Sequence, residues 1–402
     1  AVVVAGGLVP RTALALGPDT SLVDADASFW GEALEDRAGL AVAAVGDVDG
    51  DGLHDFLIGA SGNDQMGTSS GQTYLILGAP GLSKDLSLSL ADASFLGEAA
   101  QDFSGQSLAG VGDVDGDGYD DFLIAAVGSD EAGTDAGQVY LVLGAPSGWQ
   151  LDLDLASANA SFLGAAAGDQ AGTAVSGGGD VNGDGYDDLL IGAPNNSDGG
   201  GLAGQAYLVL GGAAGWAMDT DLGMADASFV GEASQDRAGY SAAIVGDVDG
   251  DGYDDLLVGA LDNDAGGSEA GQTYLVFGSA MGWTLGMDLG TADASFWGES
   301  TADNSGTVVA GAGDVNGDGY DDFMIAAPRS DAALPDAGQV YLILGRASGW
   351  IQDIHLSLSD ASYWGEMAGD LCGTALSSAG DVNGDGFGDL LIGAPYNEES
   401  GF

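Results

Sequence analysis

Asp113-Val114-Asp115-Gly116-Asp117-Gly118-Tyr119-Asp120-Asp121 runs without a break into Phe122-Leu123-Ile124-Ala125-Ala126. The first nine residues place a carboxylate at positions 1, 3, 5 and 9, with glycines at 4 and 6. That spacing wraps a loop around a point and surrounds it with oxygen atoms. The five that follow are continuously apolar, too short for a helix of ordinary length and of the kind that forms a strand buried on both faces. A turn of carboxylates that opens a buried strand is the unit from which the rest of the chain is read.

The unit recurs. Its acidic loops begin at Asp47, Asp113, Asp180, Asp247, Asp314 and Asp381, at steps of 66 and then 67 residues. A second marker keeps the same phase: Ala-Ser-Phe-x-Gly-Glu at Ala27 to Glu32, with cognates around Phe95, Phe162, Phe229, Phe296 and Tyr363. The third of these has Ala165 where the others have Glu. Two markers in step over nearly the whole chain define a repeat protein, for which length says little about domain number.

Within a unit the apolar pattern is continuous or has a period of two, broken by Gly and Asp, and no helical period is sustained. In the second unit, strands are expected at Ser107 to Val111, Phe122 to Ala126 and Val139 to Leu143. A fourth is expected where Leu151-Asp152-Leu153-Asp154-Leu155 alternates, as on a half-wet outer edge. Small residues suit a crowded axis and apolar strands a middle packed between neighbours. The expected fold is therefore all-β: a β-propeller of four-stranded blades, six in number, forming one domain over residues 1–402. A linear β-solenoid competes with it. The last unit stops after its second strand, and Thr12 to Gly17 resembles the third strand Thr73 to Gly78, with Ser21 to Asp24 as a fourth. The two chain ends are thus expected to complete one blade and remove its open edges. Val2-Val3-Val4 leaves a seventh, degenerate unit open, and donation of strands between copies is the other alternative.

The loop chemistry points to Ca²⁺, which takes six to eight oxygen ligands, with a backbone carbonyl at position 7 and a Gly at 6 for the turn. The expected ligands of the first loop are Asp47, Asp49, Asp51 and Asp55 with the carbonyl of Leu53. The second has Asp113, Asp115, Asp117 and Asp121 with Tyr119, and the third Asp180, Asn182, Asp184 and Asp188 with Tyr186. The fourth has Asp247, Asp249, Asp251 and Asp255 with Tyr253, the fifth Asp314, Asn316, Asp318 and Asp322 with Tyr320. In the sixth they are Asp381, Asn383, Asp385 and Asp389 with Phe387. About six Ca²⁺ ions are implied, one per loop. A solvated acidic turn is the bland alternative, which six copies in phase make hard to sustain. Position 12, where an EF-hand needs a bidentate Glu before a helix, is apolar here, as at Ile124. Zinc lacks ligands: the histidines are His54 and His355, and Cys372 is the single cysteine.

The chain carries 63 acidic against 6 basic residues, a formal net charge of −57. Such a surface repels nucleic acid and anionic membranes, which are held through Lys and Arg. Its self-repulsion calls for cations or salt. One cysteine excludes an intrachain disulfide, and the thiol is expected in the core. No long apolar run suggests a membrane span. Ala1 and the absence of a basic leader suggest a mature or trimmed chain. Tryptophans at Trp149, Trp216, Trp283 and Trp350, each after Gly, are expected to be packing anchors rather than a stacking platform.

The order Gly-Asp-Val-[Asp/Asn]-Gly-Asp-Gly, apolar strand, Gly-Ala-Pro resembles the FG-GAP repeats of integrin α-chain propellers. Gly-Ala-Pro is intact at Gly192-Ala193-Pro194 and Gly393-Ala394-Pro395 and altered in the other units, as at Gly59-Ala60-Ser61. The resemblance, over residues 27–402, implies a propeller with calcium in its blade hairpins, exposed outside the cell. It departs from integrin propellers in carrying a complete acidic loop in every unit. The function expected is an extracellular adhesion, recognition or structural module, bound to a protein or glycan ligand or to copies of itself. A subunit of a surface layer or filament is one alternative and a propeller-type polysaccharide-acting enzyme another. No catalytic cluster stands out, since the acidic residues belong to the repeat and the two histidines stand apart.

Overall fold

The computed structural model describes residues 25 and 27–397 and the backbone of residues 2–4. The expected strands form where apolar side chains can be shielded on both faces. In the second unit an inner strand, Ser107–Gly112, pairs antiparallel with Asp121–Ala126, which pairs with Gln138–Val142, which pairs with Ala160–Leu163. Five units complete this meander, and the sixth contributes the pair Ala375–Gly380 and Asp389–Gly393. No α-helix occurs among the described residues, and the only helical elements are three-residue 3-10 turns such as Leu155–Ser157. Repeated four-stranded sheets in this order fit a six-bladed β-propeller.

One expectation is corrected in every unit. The outer strand is the Ala-Ser-Phe-x segment, as at Ala160–Leu163, not the alternating Leu-Asp stretch. Of that stretch only Leu153–Asp154 is extended, and it lies parallel to Phe95 and Leu96 at the outer edge of the preceding blade. The next residues tighten into the 3-10 turn, capped by Asp154, whose side chain accepts from Ala156 N–H. Alternation described a half-buried segment correctly but assigned it to the wrong sheet. The phenylalanine marker is a strand because it buries: Ala160, Ser161 and Phe162 are all at most 1% exposed.

The core lies between sheets. Leu123, Val139 and Leu141 of the second unit pack against Leu189, Ile191 and Tyr207 of the third. Inner strands approach backbone to backbone: a Cβ on Gly110 would meet the Ala44 carbonyl at 2.5 Å. The tryptophans are packing anchors, as expected. Trp149 lies 6.2 Å from Phe122 and donates Nε1–H to the Ala145 carbonyl, Trp350 repeats this with Phe323 and the Arg346 carbonyl, and Trp283 donates to the Ser279 carbonyl while packing 6.2 Å from Phe229. Cys372 is buried in the apolar cluster of the last units.

At the N-terminus one alternative is decided, that Val2-Val3-Val4 is the second strand of a further, degenerate unit. Val2–Val4 pairs with Ala27–Trp30 in the register a third strand has with an outer strand, so it is not the second strand of a further unit. Thr12 to Gly17 and Ser21 to Asp24 fall outside the described residues. Among those described, no strand joins Asp389–Gly393 on its open side. Leu391 is accordingly 63% exposed, whereas its cognates Leu57, Leu123, Leu190 and Leu257 are completely buried.

Candidate metal loops

Each acidic loop folds around its first aspartate. Asp113 Oδ1 accepts from the N–H groups of Gly116 (2.8 Å) and Asp117 (3.0 Å), and Oδ2 from that of Gly118 (2.8 Å). The same three bonds recur at Asp47, Asp180, Asp247, Asp314 and Asp381. The backbone can curl this tightly because Gly116 and Gly118 have φ of 78° and 94°, a conformation that costs glycine little. The N–H groups of Gly386, Gly384 and Asp385 hold Asp381 below the usual carboxylate range, outweighing the desolvation that opposes them. Positions 3 and 5 stand further round the turn: Asp115 Oδ1 accepts from Asp117 N–H, and Asp117 Oδ1 from Tyr119 N–H.

The ninth residue is of another kind. Asp121 is 1% exposed, and its two oxygens accept from Val114 N–H (2.9 Å) and Gly144 N–H (2.7 Å), tying the loop to the end of the third strand. Asp55, Asp188, Asp255 and Asp322 do the same. Asp389 accepts from its own loop, from Val382 N–H at 2.8 Å and from Asn383 N–H and Nδ2 at 3.3 Å. Burial, only partly offset by these N–H groups, raises the carboxyls of Asp121 and Asp188 to about 7 and that of Asp255 to about 8. Neighbouring carboxylates of the same loop add to the rise.

Three of the six loops bring three of their expected acids together. Carboxylate oxygens of Asp47, Asp49 and Asp55 lie within 4.8 Å of one another, as do those of Asp113, Asp115 and Asp121 and those of Asp247, Asp249 and Asp251. Oxygen-only donors, several charges and a ninth residue raised by desolvation suit a hard divalent cation. Where position 3 is Asn182, Asn316 or Asn383, an amide oxygen takes the carboxylate's place. His54 is exposed, and His355 caps a 3-10 turn, accepting through Nδ1 from Ser357 N–H. Neither histidine belongs to the three groups of acids that converge.

The eighth residue escaped sequence reasoning. Asp120 Oδ2 accepts from the N–H of Asp47, the first ligand of the preceding loop, at 2.7 Å, and Asp120 N–H donates to the Asp47 carbonyl. Asp187, Asp254 and Asp321 clasp Asp113, Asp180 and Asp247 in the same way. Tyr119 covers Gly50 of the preceding loop so closely that a Cβ there would lie 2.6 Å from its ring. The signal was present in the sequence as Asp-Asp in four units, with His54 and Gly388 in the other two. What it lacked was any indication that the next loop lies within reach.

A propeller-type repeat protein with an acidic loop before the second strand of each unit is the class these observations define. The FG-GAP repeat pattern matches at residues 38–76, 104–142, 171–209, 238–276, 305–343 and 373–402, more than half of the chain. The chain belongs to the FG-GAP repeat family. It is 31% identical over 228 residues to integrin alpha-PS2 of Drosophila melanogaster, a stretch covering 55% of this chain and 15% of that protein. Integrin alpha-V of Gallus gallus is 34% identical over 166 residues, 40% of this chain and 14% of that protein. Integrin alpha-IIb of Homo sapiens is 33% identical over 158 residues, 36% and 14% respectively. The match thus spans about a seventh of each of these relatives.

Proposed function

We propose that this chain is an extracellular β-propeller, a single domain stabilised by calcium, that serves adhesion or recognition without catalysis. The observation that carries the reading is the six-fold recurrence of one loop that converges oxygen donors at the foot of a blade. Positions 1, 3, 5 and 9 of each loop, with the carbonyl of position 7, would hold one Ca²⁺, about six in all. Extracellular calcium modules bind at about 10⁻⁴ to 10⁻³ M, so cytosolic concentrations would leave such loops empty. The metal would offset part of a very large negative charge and stabilise the folded state by mass action. Similarity to integrin α chains supports an adhesive role outside the cell. The partner is a protein or a glycan, or another copy of the chain. No helix among the described residues is long and apolar enough to cross a membrane.

A calcium titration of the chelator-treated protein, followed by thermal melting and light scattering, tests this. The expected result is a melting temperature that rises with calcium at unchanged monomeric size. An unchanged Tm across the titration would refute the metal assignment. Assembly by strand donation is the second reading: among the described residues Asp389–Gly393 has no strand on its open side. Growth into polymers on adding calcium would select it.

A further inference from the structure

The third unit breaks the repeat at the end of the blade opposite its acidic loop. In the second unit, Gln138 Nε2 donates to Ser161 Oγ (3.1 Å) and Asp219 Oδ1 (3.3 Å), and Tyr140 OH donates to Glu98 Oε1 (2.9 Å). The cognate trio in the third unit is Gln205, Ser228 and Tyr207, but both carboxylates are missing. Ala165 stands at the glutamate position and Gly286 at the aspartate position. The outer strand also ends in Val230, where the other units have Trp30, Leu96, Leu163, Trp297 and Trp364. Three losses of volume at one place leave a cavity of about 470 Å³, lined by Gln205, Tyr207 and Ser228 with Asp198, Glu232 and Asp288 among its walls. That size lies in the range of small-molecule sites.

Its polar groups are left without their usual partners. Gln205 is 4% exposed and its Oε1 has no hydrogen-bond partner, a state that Gln272 of the fourth unit shares although it keeps both carboxylates; what the third unit lacks is a carboxylate to accept the amide N–H. The carboxylate that takes the amide N–H in the second unit is gone. Tyr207 OH accepts from Asn196 Nδ2 at 3.2 Å, and the glutamate to which its proton would go is Ala165. A buried amide in this state asks for a ligand that both donates and accepts. An ammonium group only donates, and an anion is repelled by three carboxylates. Hydroxyl groups do both. The geometry points to a neutral sugar unit as the occupant of this cavity. This assignment deepens the recognition reading and rests on it, but it does not depend on the calcium loops.

Saturation-transfer NMR on the full calcium-loaded chain, with glucose, galactose, mannose and N-acetylglucosamine as probes and spermidine as the cationic control, tests it. At least one sugar is expected to bind. Its affinity should fall about tenfold or more in Gln205→Leu, which keeps the volume and removes the amide, and in the double variant Ala165→Glu, Gly286→Asp. The double variant restores the repeat, and its backbone suits Asp: Gly286 has φ 75°, and Asp152, Asp219 and Asp353 hold φ of 59°, 61° and 61° at the cognate position. If the double variant fails to fold, Gln205→Leu decides alone. No binding by any of the four sugars, equal binding by the variants, or binding of spermidine alone would each overturn the assignment. The calcium-induced rise in Tm, measured on the same samples, separates these outcomes from a failure of the propeller's metal assignment.

Discussion

Asp188 and Asp184 occupy the same loop and answer to different forces. Asp188 is completely buried and satisfies two backbone N–H groups, those of Val181 and Gly211, whereas Asp184 is exposed. Asp188→Ala leaves both N–H groups unpaired and should destabilise the protein by roughly 3 kcal/mol even in chelator. Asp184→Ala should leave the chelated protein nearly unchanged and reduce only the gain from calcium; denaturant unfolding with and without the metal separates the two. Titration follows from the same burial. Desolvation raises Asp102 and Asp303 to about 6, Asp121 and Asp188 to about 7 and Asp255 to about 8. The folded state then binds more protons than the unfolded one between about pH 4 and 8, so stability falls as pH rises through that window. In chelator the protein is expected to melt higher at pH 5 than at pH 8. Calcium should reverse the order, because it binds the deprotonated carboxylates.

At the scale of elements, successive loops are joined by a clasp. Asp187 binds the N–H of Asp113 at 2.9 Å and returns its own N–H to the Asp113 carbonyl. The first aspartate of one loop is therefore positioned partly by the next blade, so metal in one loop is expected to stiffen the seat of its neighbour. Asp187→Ala should cost roughly 2 kcal/mol, as expected for a hydrogen bond to a charged group. It should also weaken calcium binding in the loop at Asp113 to Asp121, which it does not enter, an effect calorimetry on the variant can read. Gly46 shows how close the joint is: with φ 70°, a Cβ on it would lie 2.0 Å from Asp120 Oδ2. Gly46→Ala is expected to break the clasp and lower Tm in chelator as well as in calcium.

For the whole molecule the governing quantity is charge. With a formal net charge of −57 and 6 basic residues against 63 acidic ones, long-range repulsion opposes compactness and little local pairing offsets it. Salt screens such repulsion over about 10 Å at 0.1 M and about 3 Å at 1 M. Raising sodium chloride from about 0.02 M to about 1 M should therefore lift the Tm of the chelated protein, and by less once calcium is bound. A Tm insensitive to salt would show that the carboxylates are already neutralised by protons or metal.

How much of this could be read beforehand depended on the range of the interaction. The all-β class, the unit length, three strands of each blade and the acidic loops were legible in the sequence. They rest on contacts within a few residues: a carboxylate and the N–H groups three to five positions on, or a side chain and the face it shares with its second neighbour. The outer strand, the clasp by Asp120 and its cognates, and the cavity at Gln205 were decided only by the tertiary structure. They join residues far apart in the chain: Leu153 lies 58 positions from Phe95, Asp120 lies 73 from Asp47, and Ala165 lies 121 from Gly286 in the lining of one cavity. A repeat announces that such distances will be closed, but which side chains then meet follows from how the blades turn and stack.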